Sequence, residues 1–351
     1  MGIESKQNSN SGQSEGQGIS RRGVFALGIG AAGAIAAAPK LRDALLEVTD
    51  KSDLEAQAIE GAKRIKDLYG ITVLFEDPFW EKDGFSSNES LAAEKVRVLG
   101  YLESELATYP SSLLSLYTRI GFKEITIRAD LLKKQEGMID EGAVEDAEEH
   151  GLPIKKMLLS TNSPLSVYDL KHGLGWGEKA MFMEIFSHEL FHVMDDFDHE
   201  WENEYPPHKY ESDFNANHVL GRMTNEEIPG YAMVYGVTNQ QEDRATIYQQ
   251  LATGNPRLIE RCSSDPVLAL KVTRIKQYLS RMSETLMDEE YWAVRNKPGF
   301  DRYAPTYFHD KAKRIAGESF ADFKRSHPND PMIKDEEDFK GLQEYMRQHY
   351  S

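Results

Sequence analysis

Apolar residues recur along the chain with two periods, near 3.6 and near 2, and their succession predicts helices interrupted by a few short strands. Over 53–70, Ala58, Ala62, Ile65 and Tyr69 share one helical face, Asp53 opens the first turn and Gly70 stops the last. The stretch 71–75 reads as a strand. Asn88 is placed to cap a second long helix with Leu91, Val98, Leu102 and Leu106 inward, ending ahead of Pro110. A strand is predicted over 123–131 and a third over 154–160. Between them the acid-rich 135–151 is expected as a solvated insertion, or as a rim favouring basic peptides. Further on, Asp265-Pro266 starts a helix whose stripe of Leu268, Val272, Ile275, Leu279, Met282 and Leu286 is expected to pack in the core. Tyr291, Trp292, Phe300, Tyr303, Tyr307 and Phe308 are expected in a loop-rich segment laid over the domain, and short helices near Glu318 and Lys340 close the chain. The pattern predicts an α+β fold, mainly helical, with a small mixed sheet.

Composition sharpens this. With 351 residues and 40% apolar side chains, the chain can bury a sizeable core. A formal charge of −17 without a basic stripe argues against a nucleic-acid partner. The single cysteine, Cys262, excludes an intrachain disulfide framework and is expected as a buried or half-buried thiol ahead of a helix. Residues 1–19 are polar and low in complexity, as in disordered segments. They give way to Ser20-Arg21-Arg22-Gly23-Val24-Phe25 and a small, apolar run ending at Pro39-Lys40, which resembles a twin-arginine export signal cleaved near Ala34-Ile35-Ala36. At roughly 16 residues the run is short for a membrane span, which needs about 20. The expected organisation is therefore 1–38 leader, 39–51 linker, 52–255 catalytic domain and 256–351 helical extension packed on it. The expected location is extracytoplasmic, periplasmic or secreted, with no membrane attachment of the mature form and a cytoplasmic location as the alternative.

One stretch specifies a chemistry: Ser187-His188-Glu189-Leu190-Phe191-His192. Positions four apart lie one above the other on a helix, so His188 and His192 can reach one metal ion. The carboxylate of Glu189 can then serve as general base towards a water on that metal. A catalytic zinc needs a third protein ligand. Asp198 stands where an HExxHxxGxxD pattern would put it, but Asp195 occupies the glycine position that such a turn requires. His199, Glu204, His208 and His218 follow in a stretch that reads as loop. Fifty residues on, Thr238 or Asn239 would cap a helix with Glu242 in its first turn, either as a ligand or as an acid favoured by the helix dipole. Asp195 or Asp196 is expected to orient a ligand imidazole from behind.

The run His188-Glu189-Leu-Phe-His192-Val-Met-Asp195-Asp196, followed by Tyr235 and, seven residues later, Glu242-Asp243-Arg-Ala, resembles the gluzincin metallopeptidases of the anthrax lethal factor and Pro-Pro endopeptidase type and their bacterial zinc-binding relatives. Trp201, Asn203 and Tyr210 are spaced similarly. The resemblance spans roughly 52–255 and departs after Ala245, where relatives often carry Glu and Phe and this chain has Thr246 and Ile247. It implies a zincin-like fold and one zinc held by His188, His192 and Glu242. It also implies Glu189 as base and Tyr235 as donor to the oxyanion. The implied activity is zinc-dependent hydrolysis of peptide or protein substrates. A zinc amide hydrolase acting on another substrate and a non-catalytic, zinc-stabilised binding protein are the alternatives. An edge strand near the metal would pair with extended substrate, and 154–160 is the expected strand.

Overall fold

The computed structural model describes residues 51–75, 88–128, 142–149, 152–160, 178–195, 205–206, 228–328, 330 and 332–350. Among these it has eleven α-helices and four strands, so the α+β, mainly helical class with a small mixed sheet holds. The leader, the linker to residue 50, the glycines at 173, 175 and 177, Asp196 and the segment carrying Asp198, His199, Trp201, Asn203, Glu204, His208, Tyr210 and His218 lie outside the described residues.

Helix α1 (Lys51–Tyr69) buries Ala58 and Ile65 and ends where Gly70 takes a φ of +73°, a left-handed conformation that a side chain would strain. Strand β1 (Thr72–Phe75) follows. Helix α2 (Asn88–Leu106) buries Val98, Leu102 and Leu106 as their spacing predicts. Pro110 then sits extended ahead of α3 (Ser111–Arg119), a helix the sequence reading did not separate from its surroundings. Strands β2 (Phe122–Arg128), β3 (Gly142–Glu149) and β4 (Leu152–Ser160) complete a four-stranded sheet in the order β1-β2-β4-β3. The first two pairings are parallel and β3 runs antiparallel to β4.

Two expectations are corrected here. The segment 135–151 is not wholly an insertion, because 142–149 forms β3. Its acids stand opposite lysines, Glu145 facing Lys156 and Asp146 facing Lys155, the latter pair 3.2 Å apart. The stretch 154–160 is interior rather than edge, flanked by β2 and β3, so among the described residues the edge beside it is β3.

Helix α4 (Glu178–Asp195) packs across β3 and β4. After the 3-10 turn Val234–Val237 come α5 (Gln240–Ala252), α6 (Pro256–Ser264), α7 (Pro266–Met282), α8 (Glu289–Arg295), α9 (Phe300–Gly317), α10 (Phe320–Ser326) and α11 (Glu336–Tyr350). Cys262 is half-buried and lies ahead of α7 as expected, and the segment that carries it is itself a helix, α6. In α7, Asp265 caps by accepting from the Val267 and Leu268 N–H groups, and Leu268, Ile275 and Leu279 are buried. The aromatic segment after 290 is helical, not loop-rich, despite Pro305 within α9. Tyr291, Phe300 and Phe308 pack against one another with centroids 5.8 to 6.4 Å apart. One apolar core runs from Ala58 to Met346. Among the described residues no helix is long and apolar enough to cross a membrane.

The C-terminal helices are tied together at Asp288. Its Oδ1 accepts from the Tyr291 N–H at 3.1 Å, capping α8, and from Lys311, while its Oδ2 accepts from His327 Nε2 at 2.8 Å. Burial alone would raise this carboxyl, but the His327 hydrogen bond and the Lys311 charge hold it down to about 2. A depressed carboxylate stabilises the fold fully above the unfolded-state value near 3.9 and loses that contribution as pH falls towards 2. Asp288→Asn is therefore expected to cost about 2 kcal/mol at pH 7, with the gap from the parent closing between about pH 5 and pH 2. Urea unfolding followed at several pH values measures both.

Candidate metal centre

Helix α4 is apolar on nearly every side, with Phe182, Phe186, Leu190, Phe191, Val193 and Met194 buried. Its buried polar residues are the informative ones. His188 and Glu189 are 8% and 7% exposed, so water reaches their side chains only narrowly. His192 lies one turn on, with its ring centroid 4.8 Å from that of His188.

The third group arrives on α5. Asn239, extended at φ −162°, caps that helix by accepting from the Glu242 N–H at 2.9 Å, which sets Glu242 in the first turn. Of the two expected caps, Asn239 has the role. Thr238 instead donates to the Tyr235 carbonyl at 2.7 Å and closes the preceding 3-10 turn. That turn presses directly on α5: a Cβ on Gly236 would lie 2.9 Å from Thr246 Oγ1 and 3.1 Å from the Asp243 Cα, so glycine is required by space. Tyr235 beside it is 39% exposed, with its ring centroid 5.9 Å from that of His188.

Three atoms converge from these elements. His188 Nε2 is 2.9 Å from Glu242 Oε2, His192 Nε2 is 3.4 Å from the same oxygen, and the two Nε2 atoms are 3.1 Å apart. Two ligands on a tetrahedral ion at about 2.1 Å would be roughly 3.4 Å apart, so the triangle is close to the size that zinc requires. The chemistry of the set agrees. Glu242 brings no proton when ionised, and each imidazole has a single proton at most for this side, so hydrogen bonds cannot satisfy all three contacts at once. A cation at the centre satisfies all three. The His188, His192 and Glu242 group can thus hold a metal ion.

Burial pushes the Glu242 carboxyl up, but hydrogen bonds from His188 and His192 and their charges overcome this and hold it well below the usual carboxylate range. Burial likewise lowers His192, yet the hydrogen bond to Glu242 and the charges of Glu242, Glu189 and Asp195 leave it raised. The charge of Glu189 is therefore felt at the triangle. Metal uptake must displace the proton that this favours on His192.

Two buried ion pairs fix α5 in place. Arg244 donates through Nε to Asp195 Oδ2 at 3.0 Å and again through its terminal nitrogen, with both side chains 1% exposed. Asp243 Oδ2 accepts from Lys271 Nζ of α7 and, at 3.2 Å, from Tyr205, while Lys271 also donates to the Gly230 carbonyl at 2.8 Å. Burial lowers the Lys271 pKa and the Asp243 charge opposes that.

Of the residues that the sequence brought forward, the structure draws His188, His192 and Glu242 into one group and sets Tyr235 against His188, while Glu189 is buried on the same helix and its charge acts on His192. Asp195, expected to orient a ligand imidazole, is the acceptor for Arg244. The group on the outer nitrogen of His188 is Gln249, its Oε1 3.2 Å from Nδ1, and this residue was missed. Its signal was present: Gln249 follows Glu242 by seven, two turns along one face. Comparison with protein families, with curated proteins and with solved structures finds no match for this chain.

Glu242→Ala is expected to weaken zinc binding by more than about 100-fold, since even outer partners of metal ligands are worth 10–100-fold. Competition with a chromophoric chelator measures it; unchanged affinity would return Asp198 as the third ligand. Arg244→Met, which leaves the Asp195 carboxylate buried without its guanidinium, is expected to cost about 3–5 kcal/mol in urea unfolding.

Proposed function

We propose that the protein is a zinc-dependent endopeptidase of the gluzincin type. The observation that carries this is the triangle of His188 Nε2, His192 Nε2 and Glu242 Oε2, three atoms too short of protons to satisfy one another, with a buried carboxylate and a half-exposed phenol beside them. His188, His192 and Glu242 hold the zinc. When bound, that ion supplies Lewis acidity, which acidifies water and polarises a carbonyl.

The chain's own residues supply the rest. Glu189, next to His188 on the same helix, takes the proton of the attacking water and delivers it to the leaving amine. Tyr235 donates its phenol proton in a hydrogen bond to the oxygen that gains charge as the peptide carbonyl is attacked. Its 39% exposure suits a group that must meet substrate. The turn that carries Tyr235 abuts α5 at Gly236, so the donor is held in step with Glu242.

Strand β3 supports a peptide as substrate. It packs on α4, its outer edge is unpaired among the described residues, and Glu145 and Asp146 on it are exposed. An extended peptide adds to such an edge through backbone hydrogen bonds, and these acids favour basic side chains in it. A purely structural zinc site would close with a fourth protein ligand, whereas among the described residues the cluster has three. The Arg21-Arg22 segment fits export of the enzyme to an extracytoplasmic location.

The test is zinc content together with cleavage of casein or a mixed peptide pool, with and without chelator. One zinc per chain and chelator-sensitive cleavage are expected. Glu189→Gln should keep the zinc and lose about 10²–10⁴-fold in kcat. Tyr235→Phe should keep the zinc and lose about 10²–10³-fold. Undiminished cleavage by Glu189→Gln would sink the general-base assignment, and zinc without cleavage of any peptide would favour the binding-protein alternative.

A further inference from the structure

His188 faces the metal position with Nε2, and a neutral imidazole has a lone pair on that nitrogen only if its one proton sits on Nδ1. The opposite tautomer is blocked as a ligand. Something behind the ring must therefore choose. Gln249 is that neighbour, with Oε1 3.2 Å from Nδ1. An amide is ambiguous in this role, because turned over it presents an NH₂ and selects the wrong tautomer. The ambiguity is removed one step further out: Gln249 Nε2 donates to Glu184 Oε2 at 3.3 Å, so the NH₂ end of the amide is held on the carboxylate oxygen and the amide oxygen is turned to the ring.

We propose that Glu184 and Gln249 form a positioning relay that holds His188 in the tautomer able to bind the metal. Glu184 fixes which way the Gln249 amide points. The amide oxygen, thus turned inward, accepts from Nδ1–H. Nε2 is left bare towards Glu242 and His192. The spacing in the chain makes the arrangement self-consistent: Glu184 is one turn before His188 on α4, and Gln249 is two turns after Glu242 on α5. Each helix therefore supplies both a ligand and a link of the relay. Gln249 is 9% exposed, so water does not readily replace it. Neither residue touches the metal position, and both act through His188. This rests on the metal reading of the triangle.

The experiment compares full-length parent, Gln249→Leu, Glu184→Leu, Glu184→Gln and the Gln249→Leu/Glu184→Leu double variant. Zinc affinity is measured by chelator competition, melting of the metal-free proteins by circular dichroism, and the His188 Nδ1–H resonance by ¹H–¹⁵N NMR of the zinc-loaded proteins. Gln249→Leu is expected to weaken zinc binding about 10–100-fold and to lose the exchange-protected Nδ1–H signal. Glu184→Leu should weaken binding by a smaller factor, and Glu184→Gln, which restores a polar but reversible partner, by less again. In the Gln249→Leu background, removing Glu184 should change zinc affinity no further, because the link through which it acts is gone. Glu184→Leu and Gln249→Leu effects that simply multiply, or a Gln249→Leu protein with parental affinity and an intact Nδ1–H signal, would overturn the relay while leaving the metal site standing. A parent that takes up no zinc would overturn the metal reading and the relay with it.

Discussion

Two carboxylates with no access to water, Asp195 and Asp243, dictate how the site's two helices must sit. A buried charge without a partner costs several kcal/mol, so each must be met by a cation wherever the fold puts it. Arg244 meets the first and Lys271 the second. Because Asp243 and Arg244 are consecutive, their side chains leave α5 about 100° apart, one directed to α7 and the other to α4. Glu242, immediately before them, points in a third direction, to the histidines. The rotation of α5 about its own axis is thereby fixed by three successive residues. Such pairs add little net stability compared with apolar packing, but they discriminate sharply against misrotation, which would strand a charge.

The same logic explains what could be read beforehand. His188, Glu189 and His192 are legible because their relations are local, fixed by helix geometry before any tertiary contact exists. A cap likewise sets Glu242 in a first turn, but its place beside the histidines is a long-range relation that only the resemblance implied. Helices α1, α2 and α7 are legible for the same reason. Strand β3 is not, since its acids look solvated until Lys155 and Lys156 of the neighbouring strand are set opposite them. Helix α9 hides behind its aromatics and Pro305, which in isolation suggest irregular chain. Gln249 had a spacing that pointed to it but no chemistry that did, because a glutamine on a helix is unremarkable until an imidazole is found against it. Lys271 is the extreme case, a lysine within an apolar stripe whose purpose lies 28 residues upstream.

The choice of an amide behind His188 has an electrical meaning. A carboxylate in that position would strengthen the imidazole as a donor and add negative charge beside a set that already contains Glu242 and Glu189. Gln249 orients the ring without adding charge. An ion held there would keep more of its positive charge, and the carboxylate that steers the amide, Glu184, is one group further away.

Lys271 also sets a schedule. It lies on α7, so the cation that neutralises Asp243 leaves the ribosome after α4, α5 and all three converging ligands. Until α7 has docked, α5 would have to bury an unmatched carboxylate in order to bring Glu242 to the histidines. A chain still being made therefore has every ligand but no reason to assemble them. Assembly of the triangle therefore waits on the helix at 266–282, although every one of its residues precedes that helix in the chain.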